Sequence, residues 1–135
     1  MKFVSYLKSG EPSLGLLLDD SLNVVDIPTI SNNTLPGDMC SYLSNFEFNN
    51  ARLQELIHTS EKHKMKINYS DILAPIDNPT SFRDFYAFRK HVEAGRKNRG
   101  LQMIPEYDQI PVFYFSNHKS IVGPGNVIVQ DKHLE

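Results

Sequence analysis

The chain has 135 residues, 40% hydrophobic and 22% charged, which is ordinary for a folded protein and enough for one compact domain or slightly more. A net charge of −2 argues against a general electrostatic attraction to nucleic acid or anionic lipid, so any basic patch has to be local. No apolar run reaches the roughly 20 residues that span a membrane. The N-terminal MKFVSYLKSGEPS is too short in apolar length for a signal peptide, and the single Cys40 fits a reducing compartment. The expectation is a cytoplasmic protein with neither nucleic acid nor membrane as a partner.

Residues 2–7, KFVSYL, alternate apolar and polar and predict a strand; SGEP is a turn, and LGLLLDD and SLNVVDI predict two more strands around an Asp-Asp-Ser turn. Together they make a small antiparallel meander. Gly37-Asp38 fits a helix cap before Met39, and Leu43, Phe46, Leu53, Leu56 and Ile57 give broken helical spacing, with Asn45 and the Asn49-Asn50 pair as the break. His58 and His63, five apart and without a third ligand, read as a solvated helix end rather than a metal pair.

INYSDILAPIDNP predicts an extended stretch running into Pro75 and Pro79, a boundary between a small domain, residues 1–75, and a second one, residues 76–135. Beyond it, residues 81–99 hold six Arg and Lys against two acids, a local +4 in an acidic chain. VFYFSN, residues 112–117, predicts a buried strand, and SIVGPGNVIVQ a hairpin turn leading into another β-branched strand.

The segment SFRDFYAFRKHVEAGRKNRG, residues 81–100, carries the chemistry. A helix over 85–97 places Phe85, Phe88 and Val92 on its core face. Asp84 and His91 then fall within about 20° around the axis but about 10 Å apart along it, too far to share one ion and suitable for flanking one substrate. On residue chemistry alone the competing explanation is that Asp84 caps the helix and His91 is a surface histidine. Tyr86, Arg89 and Tyr114 supply phenol and guanidinium donors of the kind that recognise carboxylates, or else they are rim residues.

The run from SFRDFYAFRKHVEAGRKNRG through the Pro-Glu dipeptide and IPVFYFSN to the Gly-Pro turn resembles the start of the catalytic domain of the fumarylacetoacetate hydrolase family. The likeness covers residues 72–132 and rests on four motifs in order; residues 1–70 match the family's small N-terminal domain loosely. It implies an α+β, mainly β fold: a β-meander and helix domain, then the first strands and helix of a mixed β-roll, truncated. It implies cleavage of a carbon–carbon bond in a small 1,3-diketo or 2-oxo acid, by a histidine-activated water and an enolate stabilised on Mg²⁺, Mn²⁺ or Ca²⁺. By the same resemblance Asp84 is a metal ligand, His91 the catalytic base, and Tyr86, Tyr114 and Arg96 or Arg99 contact the substrate. A homodimer is implied for the intact protein.

Two departures stand out. The family places a glutamate three residues after the histidine, where this chain has Ala94; a helix turns Glu93 about 200° away from His91, leaving Glu106 or a residue beyond this chain as the substitute. The family's Glu-x-Glu metal ligands are expected just where the chain ends in DKHLE. One carboxylate does not hold Mg²⁺ against its hydration shell, so this chain by itself is expected to bind no metal tightly and to be inactive. The alternative from another class is a non-catalytic binding or assembly module, should the natural chain end near residue 135.

Overall fold

The computed structural model describes residues 1–19 and 21–133. They form two compact units, one comprising residues 1–78 and the segment from Ile121 on, the other Pro79–Ser120. No helix among the described residues is long and apolar enough to cross a membrane.

The first unit is built on an antiparallel meander of β1 (Lys2–Lys8), β2 (Glu11–Leu17), β3 (Asn23–Asp26) and β4 (Lys64–Lys66), in that spatial order. Lys8 pairs with Glu11 across a two-residue loop, and Ser9 and Gly10 both take positive φ, the conformation whose twist matches that of a hairpin. The pleat sorts the side chains. Leu14, Leu16 and Val25 point to one face, where α1 (Ile27–Ile30), α2 (Met39–Ser44) and α3 (Phe46–Leu56) contribute Ile27, Ile30, Tyr42 and Leu53 to the core. Val4, Tyr6 and Val24 point to the other face and pack with Ile67. Asp38 caps α2 by accepting from the Ser41 N–H at 2.8 Å, and the chain breaks at Asn45, as the spacing predicts. Asn49 does not break the chain but lies within α3, where its amide donates to the Tyr42 carbonyl at 2.8 Å.

Asp26 ends β3 on the second face of the sheet. It is 1% exposed, yet its carboxylate accepts from Tyr6 Oη at 2.7 Å, Ser13 Oγ at 2.6 Å and Lys8 Nζ at 2.8 Å, and from the Thr29 N–H at 2.9 Å and Oγ1 at 2.5 Å. Burial alone raises this carboxyl. The bonds from Lys8, Ser13, Thr29 and Tyr6 together outweigh it and hold Asp26 well below the usual carboxylate range. Burial and the bond to Asp26 push the Tyr6 phenol well above its ordinary value.

Pro79–Ser120 contains a two-stranded antiparallel ribbon, β5 (Phe82–Phe85) with β6 (Phe113–Ser116), and one helix, α4 (Arg89–Asn98).

The α+β class holds, but helix exceeds strand among the described residues, against the mainly β balance expected. Three local differences from the expected elements are seen, and the first and third lower the share of strand. Residues 67–71 are not a strand: Asp71 accepts from the Asn68 N–H at 3.1 Å and side-chain amide at 3.0 Å, the backbone closes a helical turn over Tyr69–Asp71, and only Ile72 and Leu73 pair with β1, through a bridge to Tyr6 and the Leu73 N–H to the Ser5 carbonyl at 2.9 Å. Residues 85–88 precede the helix, because Phe85 pairs with Phe113 in the ribbon. Residues 121–130 form no strand, since β-branched composition favours a strand only where a sheet edge is present to pair with it. Gly123 instead approaches the backbone of Ile72 and Leu73 so closely that a Cβ there would lie 2.4 Å from the Ile72 carbonyl oxygen.

Candidate functional site

The site lies within Pro79–Ser120 and starts from the ribbon. Aromatic residues dominate both strands, which suits a pleated surface, and the register pairs Arg83 with Phe115, Asp84 with Tyr114 and Phe85 with Phe113. The Tyr86 N–H donates to the Val112 carbonyl at 3.0 Å and carries the pairing one residue further. Alternation therefore puts Asp84, Tyr86, Val112 and Tyr114 on one face and Arg83, Phe85, Phe113 and Phe115 on the other. On that second face the Arg83 guanidinium lies 5.7 Å and 5.1 Å from the Phe113 and Phe115 ring centroids. β6 is a strand, as VFYFSN predicts, but it is exposed rather than buried, with Phe115 at 68%.

The helix presents its own face. Val92, Arg96 and Arg99 recur at i, i+4 and i+7, and Val92 is buried. The helix end is fixed by Gly100 at φ 71: its N–H reaches the Lys97 carbonyl and the Leu101 N–H reaches the Arg96 carbonyl, both at 2.9 Å. This closing motif sets the height of both arginines. Each guanidinium is further tied by its Nε, Arg96 to the Gln102 carbonyl at 2.5 Å and Arg99 to the Gly95 carbonyl at 3.1 Å. Neither pairs with a carboxylate among the described residues, so their terminal amino groups keep donors for a ligand.

These two faces enclose a cavity of about 240 Å³, lined by Tyr86, Val92, Arg96, Arg99, Ile104, Tyr107, Val112 and Tyr114. The four residues expected to contact substrate, Tyr86, Tyr114, Arg96 and Arg99, thus share one cavity. The Tyr86 and Tyr114 hydroxyls are 2.9 Å apart, with the rings edge to face at 5.5 Å between centroids. That hydrogen bond is the main cause of a raised Tyr114 phenol; Arg99 opposes the rise and Asp84 reinforces it.

Asp84 and His91 are placed differently. Asp84 sits in mid-strand, exposed, on the same ribbon face as the tyrosines, so it does not cap the helix; α4 begins after Phe88 with no side-chain cap. No group of three or more His, Cys, Asp or Glu suited to a metal ion occurs among the described residues. The donor set therefore does not fit a divalent cation, which takes six or more oxygen ligands, and Asp84 supplies one group at most. His91 is exposed, lies outside the cavity lining, and is turned about 100° around α4 from Val92. Glu93 is engaged by Arg89 at 3.3 Å, and neither it nor Glu106 hydrogen-bonds to His91.

Sequence reasoning missed Tyr107 and Ile104. The signal was present in PEYD: Pro105 opens a helical turn, and Asp108 answers the basic start of α4 by accepting from Arg89. Compared with known proteins, the chain matches no family model and no curated sequence.

Proposed function

We propose that the chain carries the acid-recognising wall of an enzyme of the fumarylacetoacetate hydrolase type, acting on a small 2-oxo or 1,3-diketo acid. One observation supports this most: Tyr86, Arg96, Arg99 and Tyr114, singled out by motif and separated by up to 28 positions, line the same cavity. Two guanidiniums and two phenols present only donors or neutral hydroxyls toward a ligand, and a cavity of about 240 Å³ admits a molecule of a few carbons. Arg96 and Arg99 bind the carboxylate; of the hydrogen-bonded Tyr86–Tyr114 pair, the hydroxyl whose proton is not given to the other donates to the oxo oxygen. In this proposal His91 activates water, and Asp84 would be one ligand of a divalent cation, which would supply Lewis-acid chemistry only with further ligands from outside the described residues. The mixed β-roll and a cytoplasmic setting belong to the same proposal.

The position of His91 outside the cavity favours one alternative, a module that binds the acid without cleaving it. Calorimetric titration of the 135-residue chain with pyruvate tests the recognition common to both. Binding is expected to weaken about 10- to 100-fold in Arg96→Ala and in Arg99→Ala, the loss of a charge-assisted hydrogen bond. No binding by the parent chain, or unchanged binding in both variants, overturns the proposal. Cleavage of an acylpyruvate by the intact parent protein in the presence of Mg²⁺, lost in its His91→Ala variant, separates the enzyme from the binding module.

A further inference from the structure

Tyr107 belongs to none of the motifs that mark the site, yet it lines the same cavity and bonds to one of the marked residues. It lies on the helical turn Pro105–Asp108 and lines the cavity with its ring. Its hydroxyl donates to the Tyr86 carbonyl at 2.6 Å, a partly buried bond. Tyr86 is therefore held at both backbone groups, its N–H by the Val112 carbonyl and its carbonyl by Tyr107. This matters because Tyr86 is the first residue past the end of β5, where the Val112 bond is the last link of the ribbon. Its ring can meet Tyr114 edge to face only if that backbone stays where the ribbon leaves it.

The Tyr107 ring is itself held. The Arg89 guanidinium lies 5.8 Å from its centroid, and Arg89 in turn bonds Asp108, beside Tyr107 in sequence, and Glu93, one helical turn away on α4. Arg89 thus links the start of α4 to the turn that carries Tyr107. From this geometry we infer that Tyr107 is a positioning residue: through the Tyr86 carbonyl it sets the Tyr86–Tyr114 pair in the cavity wall, with Arg89 bracing it from behind. The consequence for recognition rests on the proposed acid site, whereas the geometric consequence does not.

Tyr107→Phe in the 135-residue chain tests this, because it keeps the ring and its contact with Arg89 and deletes only the donor. Two readouts are needed. In NMR spectra, the edge-to-face contact gives cross-peaks between the Tyr86 and Tyr114 ring protons and an upfield ring-current shift; both are expected to vanish in Tyr107→Phe. In pyruvate titrations, affinity is expected to fall about five- to tenfold, the loss typical of one hydrogen bond, with the thermal midpoint little changed. Ring contacts that persist in Tyr107→Phe overturn the inference. If the parent chain binds no pyruvate, the acid-site proposal falls while the ring contacts still decide the role of Tyr107. Should Tyr107→Phe fail to fold, Arg89→Gln serves instead: it removes the brace alone, and unchanged ring contacts there overturn the inference equally.

Discussion

The two units treat polar groups in opposite ways. In the meander unit Asp26, Ser13, Ser31 and Asn49 are buried, and Asp26 alone receives five hydrogen bonds. In Pro79–Ser120, Val92 is the only buried apolar residue among those described, and arginines and tyrosines line an open cavity. One unit spends its polar groups on holding strands and helices together; the other leaves donors unpaired where a ligand can take them. A site built on a thin core has to be held by local devices, and the Gly100 helix end and the Arg89–Tyr107 brace are of that kind.

The contrast breaks most visibly at Asp26. Asp26→Ala leaves Lys8, Tyr6, Ser13 and Thr29 without their acceptor, and the expected loss is about 3–5 kcal/mol of stability, read from urea denaturation. The same network predicts two pH limbs. The Asp26 carboxyl titrates lower in the folded state than unfolded, so its contribution is present above the unfolded value near 4 and is lost as pH falls below it. The Tyr6 phenol titrates higher when folded, so its contribution is complete below about pH 10 and is lost as pH rises beyond. A loss under 1 kcal/mol in Asp26→Ala would make the network incidental.

A smaller effect is expected at Gly123→Ala. The added Cβ meets the Ile72 carbonyl oxygen at 2.4 Å and the Leu73 Cα at 2.9 Å, backbone atoms that cannot swing aside. The expected cost is about 1–3 kcal/mol, measured by thermal or urea unfolding, and a neutral result would mean that the segment after Ile121 is not held against Leu73. Gly100→Ala is expected to cost about 1 kcal/mol, since an alanine at φ 71 strains the end of α4. It also sharpens the comparison, because Arg96 and Arg99 depend on that end, and pyruvate affinity should weaken along with stability.

Legibility followed the range of the interactions. The first three strands of the meander were readable because alternation and turn residues act within a few positions, and Asp38 announced its helix for the same reason; β4 was not readable, because Lys64–Lys66 pairs with Asn23–Val25, far off in sequence. The site residues were readable as a set, but not their arrangement. Whether Asp84 capped a helix or sat in a strand depended on Phe113–Ser116, some 30 positions away, and so did the start of α4. Likewise the NVIVQ segment has strand-like residues, and only tertiary partners decide whether they pair. Tyr107 escaped notice because its role rests on one hydroxyl reaching a backbone carbonyl, which no spacing encodes.

The smallest expected effect has the opposite sign and tests whether the meander unit satisfies its polar groups throughout. Tyr42 is fully buried, its ring 5.1 Å from Phe3 and 6.3 Å from Phe46 between centroids, and its carbonyl is engaged by Asn49. Its hydroxyl has no hydrogen-bond partner among the described residues. A buried phenol without a partner forfeits its hydration and gains nothing in return, so Tyr42→Phe keeps the packing and removes the unsatisfied group. The expected gain is about 0.5–1 kcal/mol in urea denaturation at neutral pH. Burial also raises the Tyr42 phenol, so the parent loses stability above pH 10 partly through this group, and the variant should hold its stability further into the alkaline range. A loss in Tyr42→Phe would instead show that the hydroxyl contributes to folding, and the meander unit would then leave no polar group unsatisfied at this position.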